Sequence, residues 1–387
     1  MNIAIIGGGI SGLTCAFWLK KYGHQVKIFE KEKSVGGWVK SKQTANGSIM
    51  DLAANGWLDN EPAVHRLIDA LNAHQEHIPV SDPQSTRWIV FQDQMVPAPL
   101  SPSMLLRTPL LSFWSKLRLL CEPFIFSKSP PNENLSEFVE RRLGPGVVKG
   151  LLTPMVAGIY AAHPSELDVR ACFSKLVDWE DQYRSLLVAL HSPKRPKSKP
   201  PVLHSFRGGA GAICEMLAQE ISEENIVFEK IESLEKKKST WVLHSDLQND
   251  FECDHVVLAC PAYVQSKLLQ NIDKETALLL DNILYSDVAV AISEYTQESF
   301  PNRNKGFGAL CAQDQELYGV LGILFSSDIF PSRTLGQQNR LLTRAILGGT
   351  QYPDVLDWSE QDIKERVSQA HQIIFGQQKH QVSEVYV

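Results

Sequence analysis

The chain begins MNIAIIGGGISGLTCAF (residues 1–17), and from Ile3 to Leu19 no side chain carries a charge. Such a stretch fits a membrane anchor, a secretion signal or a nucleotide-binding turn. The flanking residues choose among them. A secretion signal needs basic residues ahead of its apolar run, and only Met1 and Asn2 precede this one. Three consecutive glycines, Gly7 to Gly9, make a poor centre for a spanning helix. The third reading accounts for the order of the residues. Ile3–Ile6 is a short apolar run suited to a buried parallel strand. Gly7, Gly9 and Gly12 then spell G-x-G-x-x-G. The pattern predicts a helix from about Ser11 to Tyr22, closed by Gly23, and a second strand over Val26–Phe29 that ends at Glu30.

Together these make the βαβ fingerprint of a dinucleotide-binding domain. The first glycine permits a tight turn, the second lets a pyrophosphate reach the backbone, and the third lets helix and strand pack closely. Free N–H groups and the dipole at the helix start attract phosphate. Glu30 is placed to accept hydrogen bonds from ribose hydroxyls. The next segment, KEKSVGGWVKS (residues 31–41), carries a Gly36–Gly37 pair shortly after the acid. That spacing is typical of proteins that hold a whole FAD in an extended pose. IMDLAANGWL (residues 49–58) follows, an apolar strand running into small residues. The candidate cofactor-binding residues are therefore Gly7, Gly9, Ser11, Gly12, Glu30, Lys31, Gly36, Gly37, Trp38, Asn55 and Gly56. Far downstream, SFRGGAGAICEMLAQEI (residues 205–221) reads as a loop, a Gly-Gly turn and a helix with Ile213, Met216, Leu217 and Ile221 as its apolar stripe. The strands after it return to the first domain, with backbone near Ile231 placed for the adenine end.

Composition limits the rest. The chain has 387 residues, 43% hydrophobic and 21% charged, and its length suits two or three domains. A net charge of −6 spread along the chain leaves no nucleic-acid footprint. Seven scattered cysteines show no C-x-x-C pair, so neither a disulfide framework nor a metal site is expected, and a reducing compartment suits them.

Five stretches bring a more specific likeness: GGGISGL, GGWVKS, LSEFVERRLGPGVVKGLLTPMVAGIYAAHPSELDVRACF, SFRGGAGAICEMLA and GVLGILFSSDIFP. On these the chain resembles the protoporphyrinogen oxidases, FAD enzymes of haem synthesis within the flavin amine oxidase superfamily. The likeness runs from residue 1 to 387. It implies an α/β fold: a discontinuous Rossmann-type FAD-binding domain (residues 1–80 and 202–270), a mixed-sheet substrate domain (81–97 and 271–387) and an inserted α-helical membrane-associating domain (98–195). It departs from the family at Ala53-Ala54, where Gly-Pro is usual. The sequence also ends at HQVSEVYV, without the final glycine-rich strand–helix unit that the family brings to the FAD.

The middle of the chain contains MVPAPLSPSMLLRTPLLSFWSKLRLLCEPFIF (residues 95–126), which its prolines break, so no spanning helix is expected there. Leu110, Trp114, Leu117 and Cys121 share one helical face, with Ser112, Ser115, Arg118 and Glu122 toward the other. The residues alone leave open a helix in the membrane interface or one packed in the core. The resemblance favours the interface, and with it a cytoplasmic, peripherally membrane-associated protein. Leu135, Phe138, Val139 and Leu143 form the stripe of a further helix ended by Gly144, read as packing only. HSPKRPKSKPP (residues 191–201) reads as a solvated basic loop.

The resemblance implies oxidation of protoporphyrinogen IX to protoporphyrin IX, three two-electron steps with oxygen reoxidising the flavin. It places a propionate on Arg87, the macrocycle near the backbone of Gly158, and apolar walls at Leu321 and Ile346. It singles out no catalytic acid or base. Two alternatives stay open: a coproporphyrinogen III oxidase of the same fold, and a truncated, non-catalytic protein that binds flavin or porphyrin. Expected partners are the porphyrinogen and a membrane surface, not nucleic acid; a homodimer and hand-over to the next haem-pathway enzyme stay open.

Overall fold

The computed structural model describes residues 1–192, 200–296, 300, 303–311, 318–334 and 339–376, and the backbone of 384–386. Most of the basic loop, residues 193–199, lies outside them. The chain folds into two compact units, residues 1–80 with 201–285, and residues 81–200 with 286–387.

In the first unit, strand β1 (Asn2–Ile6) leads through Gly7–Gly9 into helix α1 (Ile10–Lys21) and strand β2 (Gln25–Phe29), each within a residue or two of the sequence reading. β1 is sandwiched: β2 pairs with it on one side and His255–Leu258 on the other, both parallel. Ile226–Val227 extends this sheet beyond β2. Alternate side chains face opposite ways, as the pleat requires. Ile3 and Ile5 join Leu13, Phe17, Ile213, Leu217 and Ile221, while Ala4 and Ile6 join Ile231, Leu234 and Leu243. The second face is closed by an antiparallel sheet of Ile231–Lys236, Trp241–Ser245 and Asp250–Cys253. One boundary is corrected. The helix Lys274–Asp281 packs beside Ala262–Leu269, so the first unit runs to Tyr285 and residues 271–285 do not belong with the substrate sheet.

A small sheet joins the two sequence passes of this unit: Leu203–Phe206 lies between Trp57–Leu58 and His77–Pro79. Here the His77 and His204 rings stack at 4.6 Å, and Trp57 stacks on His77 at 5.7 Å. Burial lowers the His77 pKa, and the neighbouring His204, His65 and His74 lower it further. A depressed histidine stabilises the fold above its unfolded value of about 6.5, and that contribution is lost as pH falls through the folded value. Urea denaturation midpoints are therefore expected to drop from pH 7 downward, with a shallower drop in His77→Gln. Equal pH slopes in the two proteins would remove His77 from the account.

The second unit holds a seven-stranded sheet in the order 384–386, Val288–Thr296, Arg340–Gly348, Val320–Leu324, Gly308–Cys311, Arg87–Phe91, Gln94–Pro97. Only Gly308–Cys311 with Arg87–Phe91 is parallel. Helix Glu360–Phe375 covers one face through Ile363, Val367, Ala370 and Ile374. The helical segment belongs to the same unit rather than forming a domain of its own, since Ile89 of the sheet shares an apolar cluster with Leu110 and Leu151.

Two helical readings are revised. The helix expected from Leu110 to Cys121 starts at Phe113, capped by Ser112, so Leu110 lies before it and is buried. Leu119 points inward, leaving Phe113, Trp114, Leu117 and Leu120 exposed. Arg118 donates to the carbonyls of Arg141 and Arg142 at the end of helix Leu135–Leu143. That helix carries the expected stripe, an Asn134/Glu137 capping box and a Gly144 stop. It does more than pack, because Arg142 is 0% exposed and pairs with Glu122, also 0% exposed. Glu122 in turn accepts from Ser185 Oγ and from the N–H groups of Leu186 and Leu187.

Candidate functional site

The three glycines of the first turn do different work. Gly7 has φ +112°, and a Cβ there would lie 2.7 Å from Ala259 O. A Cβ on Gly12 would overlap Gly7 O. Both positions are therefore demanded by the chain's own packing. Gly9 is different. Its φ of −75° suits any residue, and a Cβ would meet only Gly37 Cα, at 4.0 Å. The space at Gly9 is open, a cradle that a side chain would fill.

Gly36, Gly37 and the start of α1 border this cradle. Gly36 N–H donates to Gly8 O (2.8 Å), and a Cβ on Gly37 (φ +56°) would lie 3.3 Å from Gly9 Cα. Two glycine turns thus face each other. Helix α1 starts at this point with Gly9 as its N-cap, no side-chain cap and no acid in its first turn. Its positive end is left for an anion. Ser11 is exposed on that first turn. Glu30 is buried; Gly8 N–H donates to its Oε2 (2.7 Å) and Glu32 N–H to its Oε1 (2.9 Å). Each carboxylate oxygen keeps capacity for a second donor. Lys31 is exposed beside Glu32, and Trp38 is exposed just past the second turn.

Sequence reasoning missed the clasp that holds the downstream glycine loop. Asp51 Oδ1 accepts from Ser41 Oγ and from Ala210 N–H, both at 2.7 Å, and Gly211 N–H donates to Ser41 Oγ (2.9 Å). A side chain on Gly209 or Gly211 would strike Ser41. Asn55 leads into Gly56, whose absent Cβ makes room for His204 O. Ile231 is buried at the head of its strand. Burial pushes the Cys260 thiol, beyond the end of the strand beside Gly7, up to about 11. It therefore stays protonated at neutral pH and offers no nucleophile.

The four substrate-binding candidates lie in the second unit, on or against four consecutive strands of its sheet. Arg87 is exposed at the head of its strand, opposite Gly308. Its guanidinium lies 4.8 Å from the Phe307 ring centre and, among the described residues, makes no ion pair. Gly322 pairs with Ile346, and a register shift leaves Leu321 as an extra residue beside it. Leu321 is buried and Ile346 half-buried. At Gly158, Leu310 Cδ2 fills the place of the absent Cβ and also approaches Gly322. Leu310, which sequence reasoning overlooked, is thus the residue packed against Gly158 and Gly322. His163 caps the turn at Pro164–Glu166, its Nδ1 lying 2.6 Å from Ser165 Oγ.

The whole chain can be compared with known proteins. Protoporphyrinogen oxidase 2, chloroplastic/mitochondrial, of Arabidopsis thaliana is 29% identical over 419 residues, covering 99% of this chain and 82% of that one. The human protoporphyrinogen oxidase is 28% identical over 379 residues, covering 90% and 77%. Among solved structures, one from Exiguobacterium sp. 255-15, provisionally named a protoporphyrinogen oxidase, superimposes with TM-score 0.84 at 18% identity, covering 100% of this chain and 85% of that one. Cyclohexylamine oxidase from Brevibacterium oxydans gives 0.71 at 16%, covering 100% and 83%. The structures show a shared mixed α/β fold, and the likeness to protoporphyrinogen oxidases read from the sequence holds. The family described as flavin containing amine oxidoreductase matches residues 10–386. With that match, and a glycine cradle that fits FAD, the chain belongs to the flavin containing amine oxidoreductases and takes FAD as its cofactor.

Proposed function

We propose that the chain is a protoporphyrinogen oxidase, converting protoporphyrinogen IX to protoporphyrin IX with oxygen as final acceptor. The supporting observation is the open cradle between Gly9 and Gly37, in a chain that aligns with such an oxidase over 99% of its length. FAD supplies the acceptor for hydride taken from the substrate. The chain's own residues bind and orient. In this reading the first unit is a Rossmann-type domain: the start of α1 and the Gly9 backbone hold the pyrophosphate, Glu30 holds the ribose, and backbone near Ile231 meets the adenine. Arg87 fixes a propionate, because its fork matches a carboxylate and no acid among the described residues competes for it. Leu310, Leu321 and Ile346 keep water from the macrocycle.

The deciding experiment is anaerobic mixing of FAD-loaded protein with protoporphyrinogen. Loss of the oxidised-flavin absorbance supports the reading, and an unreduced flavin sinks it. Arg87→Ala should weaken substrate binding by about 1.5–3 kcal/mol, the worth of a charged hydrogen bond. A Michaelis constant equal to the parent's would take Arg87 out of the site.

The same reading makes the protein cytoplasmic and peripherally membrane-bound. Among the described residues no helix is long and apolar enough to cross a membrane. Phe113, Trp114, Leu117 and Leu120 stand exposed, with Phe124 and Phe126 just beyond and basic Arg107 and Lys128 flanking. Such a face suits the lipid interface. Trp114→Ser should reduce co-sedimentation with anionic vesicles roughly tenfold, as expected for one large side chain no longer buried. Equal sedimentation of both proteins would refute the contact.

A further inference from the structure

The first unit holds a cleft that none of the candidate cofactor residues lines. Its volume is about 600 Å³, enough for a small organic molecule. Its walls are the first residues of β1 and β2 (Asn2–Ala4 and Gln25–Lys27), Lys20 and His24 between them, and the strand Asp250–Cys253. The Phe251 ring leans on Phe29 at 4.8 Å and gives it an aromatic floor. Gly7 and Glu30 follow the carboxyl ends of β1 and β2, where open α/β sheets take their cofactors. The cleft lies along the amino ends of the same strands, so FAD in the glycine cradle leaves it free.

The charges of this cleft are unevenly engaged. Lys20 Nζ donates to the carbonyls of Glu220 and Ile221 at the end of the helix Ala212–Ile221. Asp250 pairs with His244 (2.8 Å) and Glu252 with Lys237 (3.1 Å), neither of which lines the cleft. Lys27 is exposed and, among the described residues, forms no ion pair; its Nζ lies 5.8 Å from the Phe251 ring centre. The acids are thus matched by cations of the antiparallel sheet, while the cation of β2 is left above an aromatic ring.

We infer that this cleft binds a flat aromatic carboxylate, with its ring against Phe251 and its charge at Lys27. An aromatic ring gains from an offset or edge-on contact with Phe251 beyond the area it buries. A carboxylate supplies the counter-charge that Lys27 lacks, in a charge-assisted hydrogen bond. The walls come from two distant stretches, residues 2–29 and 225–253. An occupant that bridges them recognises only the folded unit and therefore raises its thermal midpoint.

The test is calorimetric titration of the FAD-loaded protein with naphthalene-2-carboxylate, alongside thermal melts with and without it. The parent should bind the carboxylate and melt higher in its presence. Naphthalene-2-methanol, the same ring without the charge, should bind about fivefold more weakly, the upper reach of an exposed ion pair. Lys27→Met should lower carboxylate affinity by the same factor and leave that of the alcohol unchanged, and Lys27→Arg should match the parent. Phe251→Leu should weaken both ligands about threefold, through the lost ring contact. Arg87→Ala should bind the carboxylate as the parent does, which separates this cleft from any carboxylate held at Arg87. No binding to the parent, parent-like affinity in both Lys27→Met and Phe251→Leu, or loss of binding in Arg87→Ala would each overturn the site.

Discussion

Gly9→Val leaves the apo-protein folded and abolishes its FAD binding. The backbone tolerates the change, since Gly9 has an ordinary φ of −75° and a Cβ there touches only Gly37 Cα at 4.0 Å. The valine methyls instead project into the space where a pyrophosphate must approach the start of α1. Overfilling a packed site ordinarily costs about 1–3 kcal/mol, or about five- to 150-fold in affinity, and here the methyls take the pyrophosphate's own place. Gly12→Val makes the contrast. Its Cβ overlaps Gly7 O, so helix and strand must separate and the fold itself fails. Flavin absorbance after desalting and a thermal melt of the apo-protein distinguish the two outcomes. Stoichiometric flavin in Gly9→Val would refute the site.

The second large effect is far from any cofactor. Glu122→Ala should destabilise the second unit by about 3–5 kcal/mol, because it leaves the Arg142 guanidinium buried without its main counter-charge. The variant also leaves the Leu186 and Leu187 N–H groups, at the start of helix Leu186–His191, without their carboxylate acceptor, while Ser185 Oγ goes on accepting from Val188 N–H. Arg142 keeps donating to Ile125 O and Arg184 O, both at 2.8 Å, but carbonyls carry no charge to match it. The double variant Glu122→Met/Arg142→Met should be more stable than either single one, since no ion is then stranded. Urea denaturation of the parent and these variants measures this directly. A Glu122→Ala midpoint equal to the parent's would show that Glu180, 3.5 Å from Arg142 Nε, balances the charge alone.

What could be read from the sequence was local. Ile3 through Glu30 form strand, turn, helix and strand from adjacent residues, so spacing alone located them. The capping box at Asn134 and the stop at Gly144 are local in the same sense. The Glu122–Arg142 pair is not. Arg142 sits at a position a charged helix would ordinarily give to solvent, and Glu122 is 20 positions away and Ser185 a further 63 from Glu122. No periodicity reports such a meeting. Residues 271–285 were misplaced because their attachment depends on helix against helix, which their own pattern does not encode. Leu310 escaped notice for the opposite reason: it looks like any core leucine, and only the missing Cβ of Gly158 marks its place. Arg87 was singled out through the family likeness, since an arginine at the head of a strand carries no signal alone.

The central place of β1 in its sheet has a consequence for how the protein is made. Asn2 N–H reaches Asp254 Oδ2, a partner 252 positions later. A ribosome adding roughly 5–20 residues per second takes on the order of ten to fifty seconds to deliver it. Until then this apolar strand has one open edge, exposed to strangers in a crowded cell. The nascent chain is therefore expected to need a chaperone, and to become competent for its cofactor only late in synthesis.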